Sequence, residues 1–466
     1  MPHPTRTVAL VSTIVALAGC AAAQPAGSYA GELKDRITTD AIFGHLEQFQ
    51  QIAENHGGNR QTGTPGYQAS VDYVSDLLTE KGFDVYIDEF EAGVFDVQAE
   101  SLRVDDIPFP ARAVEHSAVS PEGGVSGPLL VAPDEQAQGC TAADYGTAAA
   151  DGAVAVAWRG GCSLADKAAA ATERGAVGLV IVNNVDEAVF GGRLLDEDEV
   201  QLPVLSVGRV DGMDLVRRRG TATAEVVARV EQRPVRSVIA QTTTGSAVDV
   251  VMVGAHLDSN ALGPGIDDNA SGVAAVLETA LQMGPKPPIE NGVRFAFWAG
   301  EKEWMLGSQH YVGSLDETAL SRIALYLNVD MVASPDPDYL VLDADGTLPP
   351  HPQTDVTAPE GSAAIEHALT DYLAGQGITP GLLLFDGRGD GNPFAHTGIP
   401  IGALSTGRPS EDGNDAAGDT IANVSRDALA VTGPAIAHTV GLYAQDQAGQ
   451  YGVPSYDDRD RQPLEP

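Results

Sequence analysis

The sequence predicts an α/β protein with a mixed, mostly parallel sheet sandwiched by helices, and with a smaller inserted domain. From about residue 232 to about residue 445, apolar strand-like runs alternate with amphipathic helical runs, which is the pattern of a sheet covered on both faces. A second region alternates short apolar strands with Gly-rich turns. The 466 residues suffice for two or three domains with a large core.

The N-terminus has the pattern of a targeting segment. An apolar run over residues 8–18 is too short to span a membrane stably. It ends in LAGC at residues 17–20, which resembles the lipobox of bacterial lipoproteins and implies cleavage before Cys20 and lipid attachment to its thiol. An ordinary secretory peptide, cut two or three residues later, is the alternative. We therefore predict a signal peptide over residues 1–20, a linker over 21–33, and an extracytoplasmic protein that is either anchored to the membrane or secreted.

The acidic composition excludes several partners. The formal charge of −38 comes from 65 acidic and 27 basic residues. Nucleic acids and anionic lipid surfaces are negatively charged and would be repelled. We expect no nucleic-acid partner, and membrane attachment only through a lipid on Cys20.

The cysteines predict one disulfide bond. With Cys20 lipidated, Cys140 and Cys162 remain as a pair in an oxidising compartment, where disulfides form and persist. Two buried free thiols are the alternative.

Residues 34–111 are predicted to form the N-terminal part of the larger domain. Apolar residues recur at helical spacing over 42–52 and again over 67–78, and they alternate over 83–87 as in a strand. We therefore predict a helix, a turn, a second helix and a strand in this segment.

Residues 112–228 are predicted to form the smaller domain. The motif RGGC at residues 159–162, a following Ala-rich helix that contains Lys167, and the motif GAVG at 175–178 resemble the protease-associated domain. The resemblance implies a domain that is inserted in an exported peptidase and shapes substrate access. A generic small α/β domain is the alternative.

The stretch Val248–Gly272 is the most informative about function. An apolar run at its start leads to His256 and Asp258 in a Gly/Pro-rich loop, and Asp268 follows at the start of a helical pattern. An imidazole and a carboxylate brought together in this way could bind one divalent cation. Taken alone, a His-x-Asp motif is more typical of a surface loop.

Two further strands end beside acidic residues. Val293–Trp298 leads to Glu301, and Ile323–Val329 leads to Asp330. The carboxyl ends of parallel strands meet at one edge of a sheet, where ligands of α/β proteins bind. Because buried carboxylates need a cation or become protonated, the three strand ends together predict a metal site.

Six motifs, in the order of the family, resemble the zinc aminopeptidase family that includes bacterial secreted aminopeptidases and aminopeptidase Y. They are GAHLDS, GIDDNASG, RFAFWAGEKEWMLGSQHYV, LNVDM, FAHTGIPIG and GDTIANV. The resemblance implies a zinc-exopeptidase-like fold, peptide substrates and two Zn²⁺ ions bridged by one Asp. By position, it implies that His256, Asp268 and Asp330 bind the first zinc, that Asp258 orients His256, and that Glu301 is the general base.

The sequence departs from the family at the second zinc site. The family has two adjacent glutamates where this chain has Glu301-Lys302, and a histidine where this chain has Asp415, four residues before Asp419. An ammonium group repels a cation and offers no lone pair. We hypothesise that the Lys302 ammonium occupies the second zinc position, paired with Asp268 and Asp415, so that only one metal site is intact.

Two functions follow from this sequence. The first is an exported zinc-dependent exopeptidase, most simply an aminopeptidase, with its catalytic domain over residues 229–445. The alternative is an inactive or weak homologue that binds peptides or a partner protein, with Glu301 paired to Lys302 or Arg294 and not acting as a base. The polar, Pro-containing tail over 446–466 is predicted to be disordered.

Overall fold

The structure is a computed structural model that describes residues 28–132, 137–146, 151–184, 189, 192, 194, 200–349, 356–407, 418–448 and 452–464. The predicted signal peptide with Cys20, and also Asp415, lie outside the described residues. The strands are β1 (Asp84–Val104), β2 (Ile107–Phe109), β3 (Arg112–Ala113), β4 (Val125–Val131), β5 (Val154–Trp158), β6 (Gly178–Val182), β7 (Val204–Val207), β8 (Thr221–Gln241), β9 (Ser246–His256), β10 (Asn291–Trp298), β11 (Ile323–Val329), β12 (Leu340–Leu342), β13 (Gly381–Leu383) and β14 (Ile401–Ser405).

The helices begin with α1 (Tyr29–Lys34), α2 (Thr39–Asn55), α3 (Pro65–Lys81), α4 (Leu164–Glu173), α5 (Arg209–Leu215) and α6 (Gly272–Met283). They continue with α7 (Leu306–Gly313), α8 (Glu317–Ser321), α9 (Ser362–Gly375), α10 (Asn392–His396) and α11 (Arg426–Gln445). Within the described residues, no helix combines the length and the apolar character that crossing a membrane requires.

The larger unit is a mixed, mostly parallel sheet with helices on both faces, as predicted. Strands β14, β11, β9 and β10 are neighbours and run parallel, and antiparallel β12 and β8 flank them. Side chains of β9 alternate between the two faces, as a pleated strand requires. Val251 and Val253 pack in the core with α2, α3, α6, α9 and α11, while Met252 packs with α7, α8 and α10 on the opposite face.

The smaller unit has its own core around β4, β5, β6 and β7, which carry buried apolar side chains. Strands β1 and β8 pair antiparallel along nearly their whole lengths and enter both cores. Leu102 and Ala222 lie in the smaller core, whereas Val235 and Val238 lie in the larger core. The chain passes between the cores within continuous strands: Leu102 lies before the predicted boundary at 111/112, whereas the predicted boundary at 228/229 falls between Ala228, which packs against the smaller core, and Val235.

Cys140 and Cys162 form a disulfide in the smaller unit, with sulfur atoms 2.08 Å apart. Lys167 of α4 is buried beside it, with its Nζ 3.3 Å from each Sγ atom. The same ammonium donates to the carbonyl oxygens of Gln138 at 3.1 Å and Gly160 at 2.7 Å. Burial lowers the pKa of Lys167 to about 8.

Both ends of the described chain are more ordered than predicted. Residues 29–33, predicted as linker, belong to α1, because Ser28 caps this helix and Leu33 is buried in the larger core. The expectation of a disordered tail does not hold for residues 452–464. Arg459 of this segment donates to the carbonyl oxygens of Val248 at 2.8 Å and Ser321 at 2.7 Å, at the amino ends of β9 and β11.

Candidate metal centre at the carboxyl edge of the sheet

The three predicted strand ends converge on one point. β9 ends at His256, and Glu301 and Asp330 follow the neighbouring parallel strands β10 and β11. His256 Nε2 lies 3.1 Å from Asp268 Oδ1, 3.6 Å from Asp330 Oδ1 and 3.9 Å from Glu301 Oε2. The imidazole is 1% exposed, so these carboxylates face a buried nitrogen atom.

Asp268 reaches this point through an irregular turn, Ile266–Ser271, that leads into α6. The carboxylate of Asp419 accepts hydrogen bonds from the backbone N–H groups of Asp267 at 2.6 Å and Asp268 at 2.9 Å. Asn269 donates from its side chain to the carbonyl oxygen of Val329, at 2.8 Å. The turn is thereby joined to Asp419 of the motif GDTIANV on one side and to the end of β11 on the other.

His256 is oriented mainly by the backbone of Asp258. Its Nδ1 lies 3.0 Å from the carbonyl oxygen of Asp258 and 3.7 Å from the carboxylate. A proton on Nδ1 that is donated to this carbonyl leaves the lone pair on Nε2, which is the tautomer that binds a metal.

The carboxylate of Asp258 instead orients the next loop. It accepts hydrogen bonds from the backbone N–H groups of Glu301 at 3.2 Å and Lys302 at 3.1 Å. Burial alone would raise the pKa of Asp258, but the facing imidazole and these hydrogen bonds outweigh burial and lower it. Asp258 therefore aligns both His256 and the Glu301-Lys302 segment.

Lys302 extends into the centre of the cluster. Its Nζ lies 2.8 and 2.9 Å from the two carboxylate oxygens of Asp268 and 3.0 Å from Glu301 Oε2. Burial would lower the pKa of Lys302, but the carboxylates of Asp268, Glu301 and Asp330 outweigh it and hold this pKa well above its usual range. The side chain is therefore a fixed cation. Pairing with Lys302 was the alternative role predicted for Glu301. The structure has this contact, and Glu301 Oε2 also lies 3.9 Å from His256 Nε2.

The donor atoms fit a zinc ion. His256 Nε2 and Asp330 Oδ1 are buried and have no hydrogen-bond partner among the described residues. Buried polar atoms are nearly always partnered, so a facing pair without hydrogen-bond partners is typical of a cation-binding site. Ligand atoms of His256, Asp268 and Asp330 lie within 4.8 Å of one another. One imidazole nitrogen and two carboxylate oxygens are a donor set that zinc accepts, with a position left for water or substrate.

A cavity of about 320 Å³ opens beside the cluster. Asp268, Glu301, Lys302 and Asp330 all line it. Most of its remaining wall is apolar, and the apolar residues include Met305, Met331, Leu342, Leu383 and Phe385. Glu115 of the smaller unit lies at the same cavity, so both units contribute to its wall.

Sequence reasoning missed buried ionisable residues near the site, among them Asp390 and Arg60. Asp390 accepts a hydrogen bond from Ser308 Oγ at 2.6 Å, and burial raises the pKa of this carboxyl to about 8. Arg60, between α2 and α3, is fully buried against the loop that links His256 to Asp268. A fully buried arginine can be identified only from the fold.

Comparisons with known proteins place this chain in a family. The family model described as Peptidase family M28 matches residues 237–440, and the model described as PA domain matches residues 125–215. Probable lipoprotein aminopeptidase LpqL of Mycobacterium tuberculosis is 44% identical over 454 residues, which cover 94% of this chain and 91% of that protein. Leucine aminopeptidase 2 of Trichophyton rubrum is 30% identical over 455 residues, which cover 93% and 89%.

Solved structures show the same fold. The aminopeptidase from Aneurinibacillus sp. strain AM-1 has a TM-score of 0.73 at 23% identity and covers 89% of this chain and 96% of its own. The zinc aminopeptidase BSAP from Bacillus subtilis has a TM-score of 0.68 at 23% identity and covers 91% and 98%. The predicted zinc-exopeptidase-like fold with an inserted protease-associated domain is confirmed.

Proposed function

Because this chain belongs to peptidase family M28, we propose that it is an exported, zinc-dependent aminopeptidase that releases N-terminal residues from peptides. The observation that carries the proposal is that ligand atoms of His256, Asp268 and Asp330 meet at one point, where His256 Nε2 and Asp330 Oδ1 are buried without a hydrogen-bond partner and Glu301 lies beside them. The relatives named as aminopeptidases cover nearly the whole chain and support the same activity.

We assign the metal-binding role to His256, Asp268 and Asp330. A zinc ion bound there would polarise a peptide carbonyl and acidify a water molecule. Glu301, whose Oε2 is 3.9 Å from His256 Nε2, is within reach of such a water, and we assign it the role of general base. The same carboxyl, once protonated, would deliver its proton to the departing amine.

We further propose that the site binds one zinc ion and not two. Lys302 contacts both oxygens of Asp268, the residue that would have to bridge two metals. An ammonium at this position excludes a second cation by charge and by occupancy. Asp415, the other residue that replaces a family ligand, lies outside the described residues, and its pairing with Lys302 remains a prediction.

The surroundings support a peptide substrate that enters by its end. The metal-binding residues lie at one wall of a cavity of about 320 Å³, a volume that suits a side chain or a short peptide and not a folded chain. Its apolar wall favours an apolar residue next to the cleaved bond. The resemblance of residues 17–20 to a lipobox supports attachment to the membrane through Cys20, outside the cytoplasm.

Hydrolysis of leucyl-p-nitroanilide by the full-length protein tests the proposal. We expect zinc-dependent release of nitroaniline that a chelator abolishes and that added zinc restores. Glu301→Gln should bind zinc as the wild type does, yet lose activity. A zinc-loaded wild type that hydrolyses no aminoacyl substrate would refute the proposal. Peptide binding by such a protein would support the alternative, an inactive homologue, which the contact of Lys302 with Glu301 at 3.0 Å favours.

A further inference from the structure

Arg60 contacts the loop that connects the predicted metal-binding residues. The side chain is 0% exposed. Its Nε donates to the carbonyl oxygen of Pro264 at 2.8 Å, and its two Nη atoms donate to the carbonyl oxygens of Gly265, at 2.7 Å, and Leu257. All three acceptors belong to the stretch 257–265.

The backbone of Arg60 holds the same loop. Its N–H donates to Ser259 Oγ at 2.8 Å, and its carbonyl oxygen accepts from the N–H of Ser259 at 3.2 Å. Ser259 Oγ also lies 2.9 Å from the carbonyl oxygen of Gly263, so the loop closes around the guanidinium. Gly265 has φ of +62°, and a Cβ atom there would lie 2.5 Å from Ser259 Cβ, so the closed loop requires glycine at this position.

These contacts connect the two arms of the site. Leu257 lies between His256 and Asp258, and Gly265 lies three residues before Asp268. The fork of the guanidinium therefore fixes the separation between the end of β9 and the turn that carries Asp268. Planar, multiply donating geometry of this kind is specific to arginine, because a lysine ammonium is a single point charge.

The charge of Arg60 has no close acidic partner. Among the described residues, no carboxylate oxygen lies within ion-pair distance of its guanidinium, and its bonds go to uncharged carbonyls. Burial lowers the pKa of Arg60 to about 10, and the carboxylates of Asp258, Asp419 and Asp268 partly offset this effect.

We propose that Arg60 is a positioning residue for the metal centre: it fixes the loop 257–265 so that His256 and Asp268 meet at one ion. This inference depends on the proposed zinc site. Partners that orient metal ligands from outside typically contribute 10–100-fold to metal affinity. The effect should require the geometry of the guanidinium as well as its charge.

The test compares zinc affinity in Arg60→Lys and Arg60→Met with that in Arg459→Lys and Arg459→Met. Arg459 is the matched control, because it is only 8% exposed and also donates to backbone carbonyls, but at the opposite edge of the sheet. Zinc dissociation constants come from competition with a chromophoric chelator. The Co²⁺-loaded proteins also give an absorption spectrum that reports coordination geometry.

We expect both Arg60 variants to bind zinc about 10–100-fold more weakly and to change the cobalt spectrum. Both Arg459 variants should stay within about threefold of the wild type in zinc affinity, with an unchanged spectrum. Zinc affinity retained in Arg60→Met, or lost equally in Arg459→Met, would overturn the inference. Zinc affinity retained in Arg60→Lys alone would also overturn it, because charge would then suffice.

Ser259→Ala keeps the test decisive if the Arg60 variants do not fold. It removes the side-chain hydroxyl that accepts from the Arg60 N–H, and it should weaken zinc binding at least threefold with the cobalt spectrum shifted in the same direction. Unchanged zinc binding in Ser259→Ala would overturn the inference. Failure of the wild type to bind zinc would instead refute the proposed function, so the two failures are distinguishable.

Discussion

Replacing Lys302 with glutamate should raise the metal content from one divalent cation per chain to two. The ammonium lies 2.8–3.0 Å from carboxylate oxygens of Asp268 and Glu301. Two unit charges about 3 Å apart interact by about 5 kcal/mol at an effective dielectric constant of about 20, a gain that solvent exposure reduces. The substitution removes this attraction and frees one Asp268 oxygen for a second ion.

The formal charges of the cluster predict the same stoichiometry. Four carboxylates (Asp258, Asp268, Glu301 and Asp330) and the ammonium of Lys302 give a net charge of about −3, which one divalent ion reduces to about −1. With glutamate at 302, the charge is about −5, and two divalent ions are needed to reach the same value. Two ions in the wild type would leave a net positive charge.

Metal analysis after equilibrium dialysis against buffered zinc measures the outcome. We expect about one zinc per chain in the wild type, about one in Lys302→Met, and about two in Lys302→Glu. Lys302→Met is the control, because it removes the cation without supplying a ligand. Two tightly bound zinc ions in the wild type would refute the reasoning.

Three further outcomes follow from the structure. Glu301→Gln should lower kcat by about 10²–10⁴-fold with zinc content unchanged, and an unchanged kcat would remove Glu301 from the mechanism. Arg459→Met leaves the carbonyls of Val248 and Ser321 without donors and should lower the free energy of unfolding by about 2–4 kcal/mol in urea titrations; a loss below about 0.5 kcal/mol would contradict the described tail packing. Lys167 has a pKa of about 8 in the folded protein and 10.5 in the unfolded chain, so the unfolded chain binds more protons between these pH values. The free energy of unfolding of the wild type relative to Lys167→Met should therefore rise as pH increases from 8 to 10.5 and stay constant below pH 7. A difference that does not change with pH would contradict this assignment.

Sequence patterns could predict the architecture because buried apolar residues recur with the period of a helix or a strand. β9 alternates apolar residues between two covered faces, and α9 buries Ile365, Leu369 and Leu373, which recur at helical spacing. The strand-end positions of His256, Glu301 and Asp330 were predictable for the same reason, since parallel strands bring their carboxyl ends to one edge.

Long-range packing could not be predicted from the same patterns. Helix α11 extends from Arg426 to Gln445 with Pro434 inside it, although a proline usually marks the start of a helix. The tail looked disordered by composition, but Arg459 finds its acceptors more than 130 residues away in the sequence. The orientation of His256 by the backbone of Asp258, and not chiefly by its carboxylate, is a geometric detail that no residue pattern records.

The paired strands β1 and β8 determine how the inserted unit can be exchanged or moved. Their ladder is continuous except for a register shift between Val97 and Ala99, and bulges of this kind bend a ribbon. The two bodies are thus joined by a stiff, twisted pair of strands in place of flexible tethers. A chimera that carries a foreign insert would have to match strand register on both sides of the junction, because a slip of one residue would turn every core-facing side chain of the ribbon toward solvent.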